Sequence, residues 1–454
     1  MGSGGTGNGG GYRRTQAPRR DGGRLAMTDR SPPPAGKPAT SAAALSWRIL
    51  AALLIGLTLG AVLGGNRVAG LDRMLAVAAP IGKLWLDALT MTVVPLVFAL
   101  LVTGVSTAAE SASTGGVAKR AVLWFAVLLV ACSLLTVVVC VTILGFWPIA
   151  AQAAALGGTA EEVPAIASAS EWITGFIPTN PIKAAADTAM VPLVVFALIF
   201  GFAITRIDPA LRRVLIDFFR AIIEAMLVIV HWVLWLAPIG VLALAFAVGA
   251  RLGIGAAGAL IQYVVVVASS CLVAAALSAI IAIVVGRLSP ATFARAALPV
   301  QIVAVSTQSS LACLPAMIQA SPALGVERAA AGVVLPLAVS LFRASSAAAN
   351  LAVAIYLGYL HGVALGPGVL IVGALTAAAV SLAAVGLPAQ VSFFATIGPV
   401  CIAMGVPLTL LPVLLAVETI PDIFRTLGNV TADLAVTRLA GRGSASAAAE
   451  APPL

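Results

Sequence analysis

Long apolar runs separated by short polar breaks fill almost the whole chain from residue 45 to residue 440. Uninterrupted runs cover about 45–65, 81–105, 120–147, 213–250, 258–286, 325–360 and 407–440. Each is close to or above the ~20 residues that cross a bilayer as a helix. An eighth segment, about 171–206, is broken by Pro-Thr-Asn-Pro at 178–181 and follows a polar loop carrying Glu161 and Glu162. Two further apolar stretches behave differently. Residues 290–322 hold VSTQSSLACLP at their centre, and residues 363–405 hold AVGLPAQVS. Each half is too short to span, and each centre carries turn chemistry: a Ser/Thr cluster before Pro315, and Gly386-Leu387-Pro388. Both read as re-entrant hairpins, each followed by a full span. Non-helical backbone at membrane depth is tolerated only against protein or a water-filled cavity. A pair of interrupted apolar segments in corresponding halves of a chain points to a transporter built from inverted repeats. The predicted fold is therefore an all-α polytopic membrane protein with eight transmembrane helices and two re-entrant helical hairpins.

Composition removes the rival classes. Of 454 residues 61% are hydrophobic and only 9% charged, with a mean hydropathy of +1.09, too little charge to cover a soluble surface. Continuous apolar runs exclude the alternating pattern of an outer-membrane barrel. The net charge of +9 does not indicate nucleic acid. Much of it lies in the N-terminal tail and in short loops, at Lys119/Arg120, Arg206/Arg212/Arg213 and Arg287/Arg295. By the positive-inside rule this predicts both termini on the cytoplasmic side of the plasma (inner) membrane. Residues 1–44 and 441–454 are Gly-, Pro-, Ser- and Ala-rich tails expected to be disordered, and Met27 offers a second start site. Five cysteines sit inside apolar segments without metal-ligand or disulfide spacing and read as small hydrophobes. No His/Cys metal cluster, nucleophile elbow or phosphate loop supports an enzyme, and no cofactor is expected.

Candidate chemistry concentrates near the C-terminus. In PDIFRTLGNVTADLAV, Asp422, Arg425, Asn429 and Asp433 fall within about 80° of one another on a helix, and Glu418, one turn earlier, lies on the same face. Ions at membrane depth cost several kcal/mol unless paired or bound, so the ladder marks a site for a small charged solute. Arg425 offers a planar fork to a carboxylate, Asp422 can meet an ammonium, and Asn429 offers donors and an acceptor. The bland alternative is a salt-bridge seam between packed helices. His231 and His361 read as interfacial or packed, as do Lys183 and Asp187. Asp87 and Glu224 lie within apolar spans and face either a subunit interface or the pathway.

Seven pieces in order, MTVVPLVFAL (91–100), FIPTNPIKA (176–184), WLAPIGVLAL (235–244), STQSSLACLP (306–315), VLPLAVS (334–340), VGLP (385–388) and RTLGNVTADLA (425–435), resemble the dicarboxylate/amino-acid:cation symporters, the glutamate transporter homologues. The resemblance covers residues 45–440 and implies a homotrimer with an elevator-like moving domain in each subunit. It implies a scaffold at 45–115 and 165–250, and a transport part at 116–150 and 251–440. It assigns Asp422 to a substrate ammonium, Arg425 to a side-chain carboxylate, Asn429 to an α-carboxylate and Asp433 to sodium, with Thr426 beside them. It carries Ser309 and Ser310 of the first hairpin, Gly386 and Leu387 of the second, and Ser346 of the preceding span into the substrate site. The implied activity is symport of glutamate or aspartate, with sodium or a proton as coupling ion. A C4-dicarboxylate carrier, proton-coupled or cation-independent, and a transport-impaired homologue are the alternatives.

The chain departs from that family at Phe342-Arg343-Ala344-Ser345, where Asn-Met-Asp-Gly normally stands, at Pro388-Ala389-Gln390-Val391 in the second hairpin, and at Glu418 in place of an Asp. Coupling is therefore expected to involve Glu418, Asn429, Asp433 and Arg343 in some altered form, through a proton at Glu418 or by exchange without a cation. Arg343 has no acidic residue within ten positions on either side. It is expected to pair with Asp433 or Glu418 in place of a bound cation, or else to meet a substrate carboxylate.

Overall fold

The computed structural model describes residues 40–66, 68–113, 115–148, 177–252, 255–383 and 389–442, together with Met1, Gly2, Gly4 and Gly5. The chain divides into two units, Met1–Ala42 and Ala43–Leu454, and the helical bundle belongs to the second. The described residues are helical almost throughout and contain no strand. The polar loop at Glu161 and Glu162, the tip of the second hairpin with Gly386 and Leu387, and most of both tails lie outside the described residues; the first helix begins at Thr40, inside the stretch expected to be disordered.

Helix α1 (Thr40–Gly65) leads to α2 (Leu71–Thr90) and α3 (Val93–Ser113), then to α4 (Gly116–Phe146). The second predicted span is thus a pair, parted at Met91–Thr92 and starting again with Pro95 in the first turn, where a missing N–H costs nothing. After α5 (Pro181–Ala186) and α6 (Met190–Ile204), α7 (Pro209–Trp235) and α8 (Ala237–Leu252) replace the long span predicted at 213–250. They meet at a bend of 58°, and Pro238 at the start of α8 accounts for it. Helix α9 (Gly255–Val284) runs straight through. Five described helices are long and apolar enough to cross a membrane, or six if the bent pair counts as one span.

The interrupted segments resolve as helix–break–helix units. The first is α10 (Pro290–Thr307) and α11 (Leu314–Ala320). Ser289 caps α10 through the Thr292 N–H at 3.0 Å. Gln308 takes the left-handed conformation, φ 50°, that ends the helix, and Pro315 opens the next. The second is α14 (Pro367–Ala383) and α15 (Ala389–Ala403), which pack on each other. Two stretches predicted as plain spans are also broken. Residues 325–360 form α12 (Arg328–Leu341) and α13 (Ala344–Leu360), interrupted at Phe342–Arg343. Residues 407–440 form α16 (Leu411–Leu415) and α17 (Thr419–Gly441). The sequence shows no glycine or proline at 342–343, which is why periodicity missed the break; a side chain from α17 stabilises it.

α17 is the central element. It packs against α4, α9, α10, α12 and α13, and residues Gly428 to Val436 are all buried. At the other side of the bundle α1 meets α8 along Gly56, Gly60 and Gly64. A Cβ on any of these would strike the α8 backbone or Ala245, so the four-residue glycine spacing sets the backbone-to-backbone approach.

Candidate functional site

Two helix starts and two breaks meet around α17. Glu418 occupies the N-cap position of α17 and Asp422 its first turn, where acidic groups suit the helix dipole. Arg425 follows one turn later and ion-pairs with Glu418; its other nitrogen stands 4.0 Å from Asp422. All three are buried: Glu418 is 0% exposed, Asp422 5% and Arg425 2%. Across from them, Tyr263 of α9 donates its hydroxyl to Glu418 at 2.5 Å. Tyr263 is itself fully buried and lies 5.7 Å, ring to ring, from Tyr356 of α13. Thr426 is buried beside Arg425. The expected ladder therefore exists as a connected set of charges.

Asn429, on the next turn, does something the spacing did not reveal. Its amide oxygen accepts the backbone N–H groups of Ser345 and Ser346, at 3.0 and 3.2 Å. Its amide nitrogen donates to the Ser346 hydroxyl at 3.0 Å. The first N–H groups of any helix lack partners within the helix. Asn429 supplies them to α13 from another element, so the break at Phe342–Arg343 leaves those donors satisfied. Gly428 makes this possible: a Cβ there would run into the Ser345 side chain and crowd Cys271 of α9.

The other predicted residues are placed as follows. Ser346 lies against Asn429. Ser309 and Ser310 lie in the break between α10 and α11; Ser309 accepts the Ala312 N–H at 3.3 Å, while the buried Ser310 hydroxyl has no hydrogen-bond partner. Asp433 is 0% exposed, and among the described residues neither of its carboxylate oxygens accepts a hydrogen bond. Arg343 sits at the N-cap of α13, and its charge acts on Asp422 first and on Asp433 after it. Of its two expected partners, Glu418 is taken instead by Arg425 and Tyr263.

Tyr263 and Ser345 were not singled out from the sequence. A tyrosine inside an apolar helix is the signal for the first, because a buried phenol needs a partner for its hydroxyl. His361 is buried, with its ring nitrogens 2.9 Å from the Leu357 carbonyl and 3.0 Å from the Thr409 hydroxyl. Asp87 is exposed and bridges Lys83 one turn away at 2.7 Å. All five cysteines are buried and free.

Buried, paired charges at the centre of a bundle of membrane-length apolar helices define an integral membrane transporter rather than an enzyme. The chain belongs to the sodium:dicarboxylate symporter family, whose model matches residues 45–442. It is 28% identical over 401 residues to the proton/glutamate-aspartate symporter of Escherichia coli, covering 85% of this chain and 90% of that one. To the proton/sodium-glutamate symport protein of Bacillus caldotenax it is 26% identical over 403 residues, covering 85% and 91%. To the C4-dicarboxylate transport protein of Pseudomonas fluorescens it is 25% identical over 303 residues, covering 64% and 65%.

Proposed function

We propose that this symporter carries an acidic amino acid, glutamate or aspartate, and that a proton bound at Glu418 is its coupling ion. The observation that carries the reading is the buried set Glu418–Arg425–Asp422 on one face of α17. Arg425 is the planar cation a side-chain carboxylate needs, and Asp422 beside it suits an ammonium. A plain dicarboxylate brings no ammonium for Asp422 to bind.

Coupling follows from partner exchange. As the structure stands, Arg425 is held by Glu418. An arriving carboxylate competes for the same guanidinium. Glu418 then faces only the Tyr263 hydroxyl in an apolar surround, where a carboxylate without a cation is held more cheaply as the neutral acid. Substrate binding and proton uptake would thus favour one another, which is the linkage a symporter requires. In the same reading Asn429, Thr426, Ser346, Ser309, Ser310, Gly386 and Leu387 complete the substrate site. The packing of α17 against α4, α9, α10, α12 and α13 supports a moving body built from these elements and both hairpins. It would ride on a scaffold of the earlier helices, in an elevator-like trimer with cytoplasmic termini.

The test is uptake of radiolabelled glutamate, aspartate and succinate by the protein in proteoliposomes, with an imposed inward proton gradient. Saturable amino-acid uptake accelerated by the gradient is expected. Good succinate transport with no amino-acid transport would replace this reading by a dicarboxylate carrier.

A further inference from the structure

Asp433 is the charge that the substrate reading leaves over. It lies one turn beyond Asn429 on α17, fully buried, with both oxygens free of hydrogen bonds. A buried carboxylate in that condition needs a compensating charge or a proton. The compensating charge can come from an ion in solution or from the protein itself.

The side chains of the break beside Asp433 do not suit a sodium ion. A hard cation takes several oxygen ligands. The break between α12 and α13, which comes up against this part of α17, offers Phe342, Arg343 and Ala344, and none of these side chains carries oxygen. Phe342 is stacked on Phe125 of α4, with ring centroids 4.7 Å apart and planes 12° from parallel. That stack packs in one apolar cluster with Ala432 and Val436, the residues on either side of Asp433 along α17. The oxygen-bearing side chains of the first turn of α13 and of the adjoining turns of α17 are already engaged. The Asn429 amide oxygen is turned onto the N–H groups of Ser345 and Ser346. The Ser345 hydroxyl reaches the Cys271 carbonyl at 3.4 Å, and the Thr437 hydroxyl bonds the Asp433 carbonyl at 2.7 Å.

A permanent cation stands in the same break. Arg343 caps α13 from a backbone that is neither helical nor left-handed, φ −133°. Among the described residues it is the charge that acts on Asp433. Arginine keeps its proton at any accessible pH. We propose that Arg343 is a tethered cation for Asp433, which supplies from the chain the positive charge that a coupling ion would bring. Sodium is then not bound at Asp433 and does not drive transport through it.

The inference extends the symporter reading, and its first test needs no substrate. Thermal unfolding of the purified full-length protein is followed in sodium and in choline chloride, for wild type, Arg343→Met, Asp433→Asn and the double variant. The wild-type midpoint should differ by less than about 1 °C between the two salts, because an ion bound only by the folded state would raise it. Each single variant should lower the midpoint by at least about 3 °C, and the double variant should recover most of that loss, as coupled partners do. Two outcomes overturn the proposal: a wild-type sodium shift that Asp433→Asn abolishes, or losses that simply add in the double variant. If Arg343→Met fails to fold alone but folds with Asp433→Asn, the rescue itself supports the pair. If both fail, the wild-type salt comparison decides. A second test measures initial uptake of aspartate and of succinate into proteoliposomes, where replacing sodium by choline should change the rate at most about twofold. A sodium requirement for either substrate overturns the tethered cation. Transport of neither substrate would sink the substrate reading and leave the thermal result standing.

Discussion

The two ends of α17 handle buried charge in opposite ways. At the N-terminal end Arg425 stands between Glu418 and Asp422 within two turns, with Tyr263 closing the set from α9. At Asp433, three turns further on, the carboxylate has no hydrogen bond and its neighbours along the helix pack into an aromatic stack. The first arrangement contains an exchangeable pair: a guanidinium that can leave Glu418 for an incoming carboxylate. At the second, among the described residues, Arg343 is the charged neighbour and the packing around it is apolar. On the proposed reading, one helix separates a site that changes partners from a charge held by a tethered cation. Between them Asn429 fastens α17 to the start of α13.

The sharpest way to break the exchanging end is Arg425→Ala. It removes the cation from substrate and from Glu418 at once, so affinity for an acidic amino acid should fall by about 2–5 kcal/mol. Neutral amino acids should lose much less in the same competition assay. Equal loss for both classes would make Arg425 a structural strut and erase the contrast with Asp433.

A smaller and more selective change is Asp422→Ser. If Asp422 meets the substrate ammonium, glutamate binding should weaken by about 1.5–3 kcal/mol, the range for a hydrogen bond to a charged group. Succinate binding should hold or improve, since an anion near its backbone has been removed. A parallel loss of both, measured by inhibition of uptake, would refute the ammonium assignment.

How far this site was readable in the sequence depends on which link carries each part. The face shared by Glu418, Asp422, Arg425, Asn429 and Asp433 follows from a 100° step along one helix, and the structure holds it. Hydropathy placed the apolar stretches but not their breaks at 91–92, 236, 342–343 and 416–418. Pairing across elements did not follow. Tyr263 reaches Glu418 over 155 positions, and Phe125 reaches Phe342 between helices that no local pattern connects. The break at Phe342–Arg343 was illegible for a related reason. Its stop signal is neither glycine nor proline but an asparagine 84 residues away in the chain, which satisfies the N–H groups of Ser345.

The joint between the two ends can be loosened with Asn429→Ala. The N–H groups of Ser345 and Ser346 would lose their shared acceptor in a buried place. Loss of a capping side chain costs about 1 kcal/mol, and up to about 2 where burial is complete. The melting midpoint should drop accordingly, and hydrogen exchange should quicken at the start of α13 more than in α9. Uniform exchange along both helices would mean that Asn429 does not hold the break.

The mildest change tests the proton step itself. Tyr263→Phe keeps the ring and its packing on Tyr356 while deleting the hydroxyl that reaches Glu418. The pair Glu418–Arg425 remains, so the empty carrier should lose only about 1 kcal/mol of stability. The effect should appear on the substrate-bound carrier, in which Arg425 has changed partner. There the phenol is the remaining donor to an ionised Glu418, so deleting it disfavours the charged form. The neutral acid is then favoured over a wider range, and a group whose charged form loses a donor takes its proton at higher pH. Substrate uptake should therefore persist to more alkaline external pH than in wild type, while proton release after translocation slows. Counterflow, which skips net proton release, should be unaffected. An alkaline limb that shifts toward acid, or that does not move at all, would separate Glu418 from the coupling step and leave it, like Asp433, a charge held fixed.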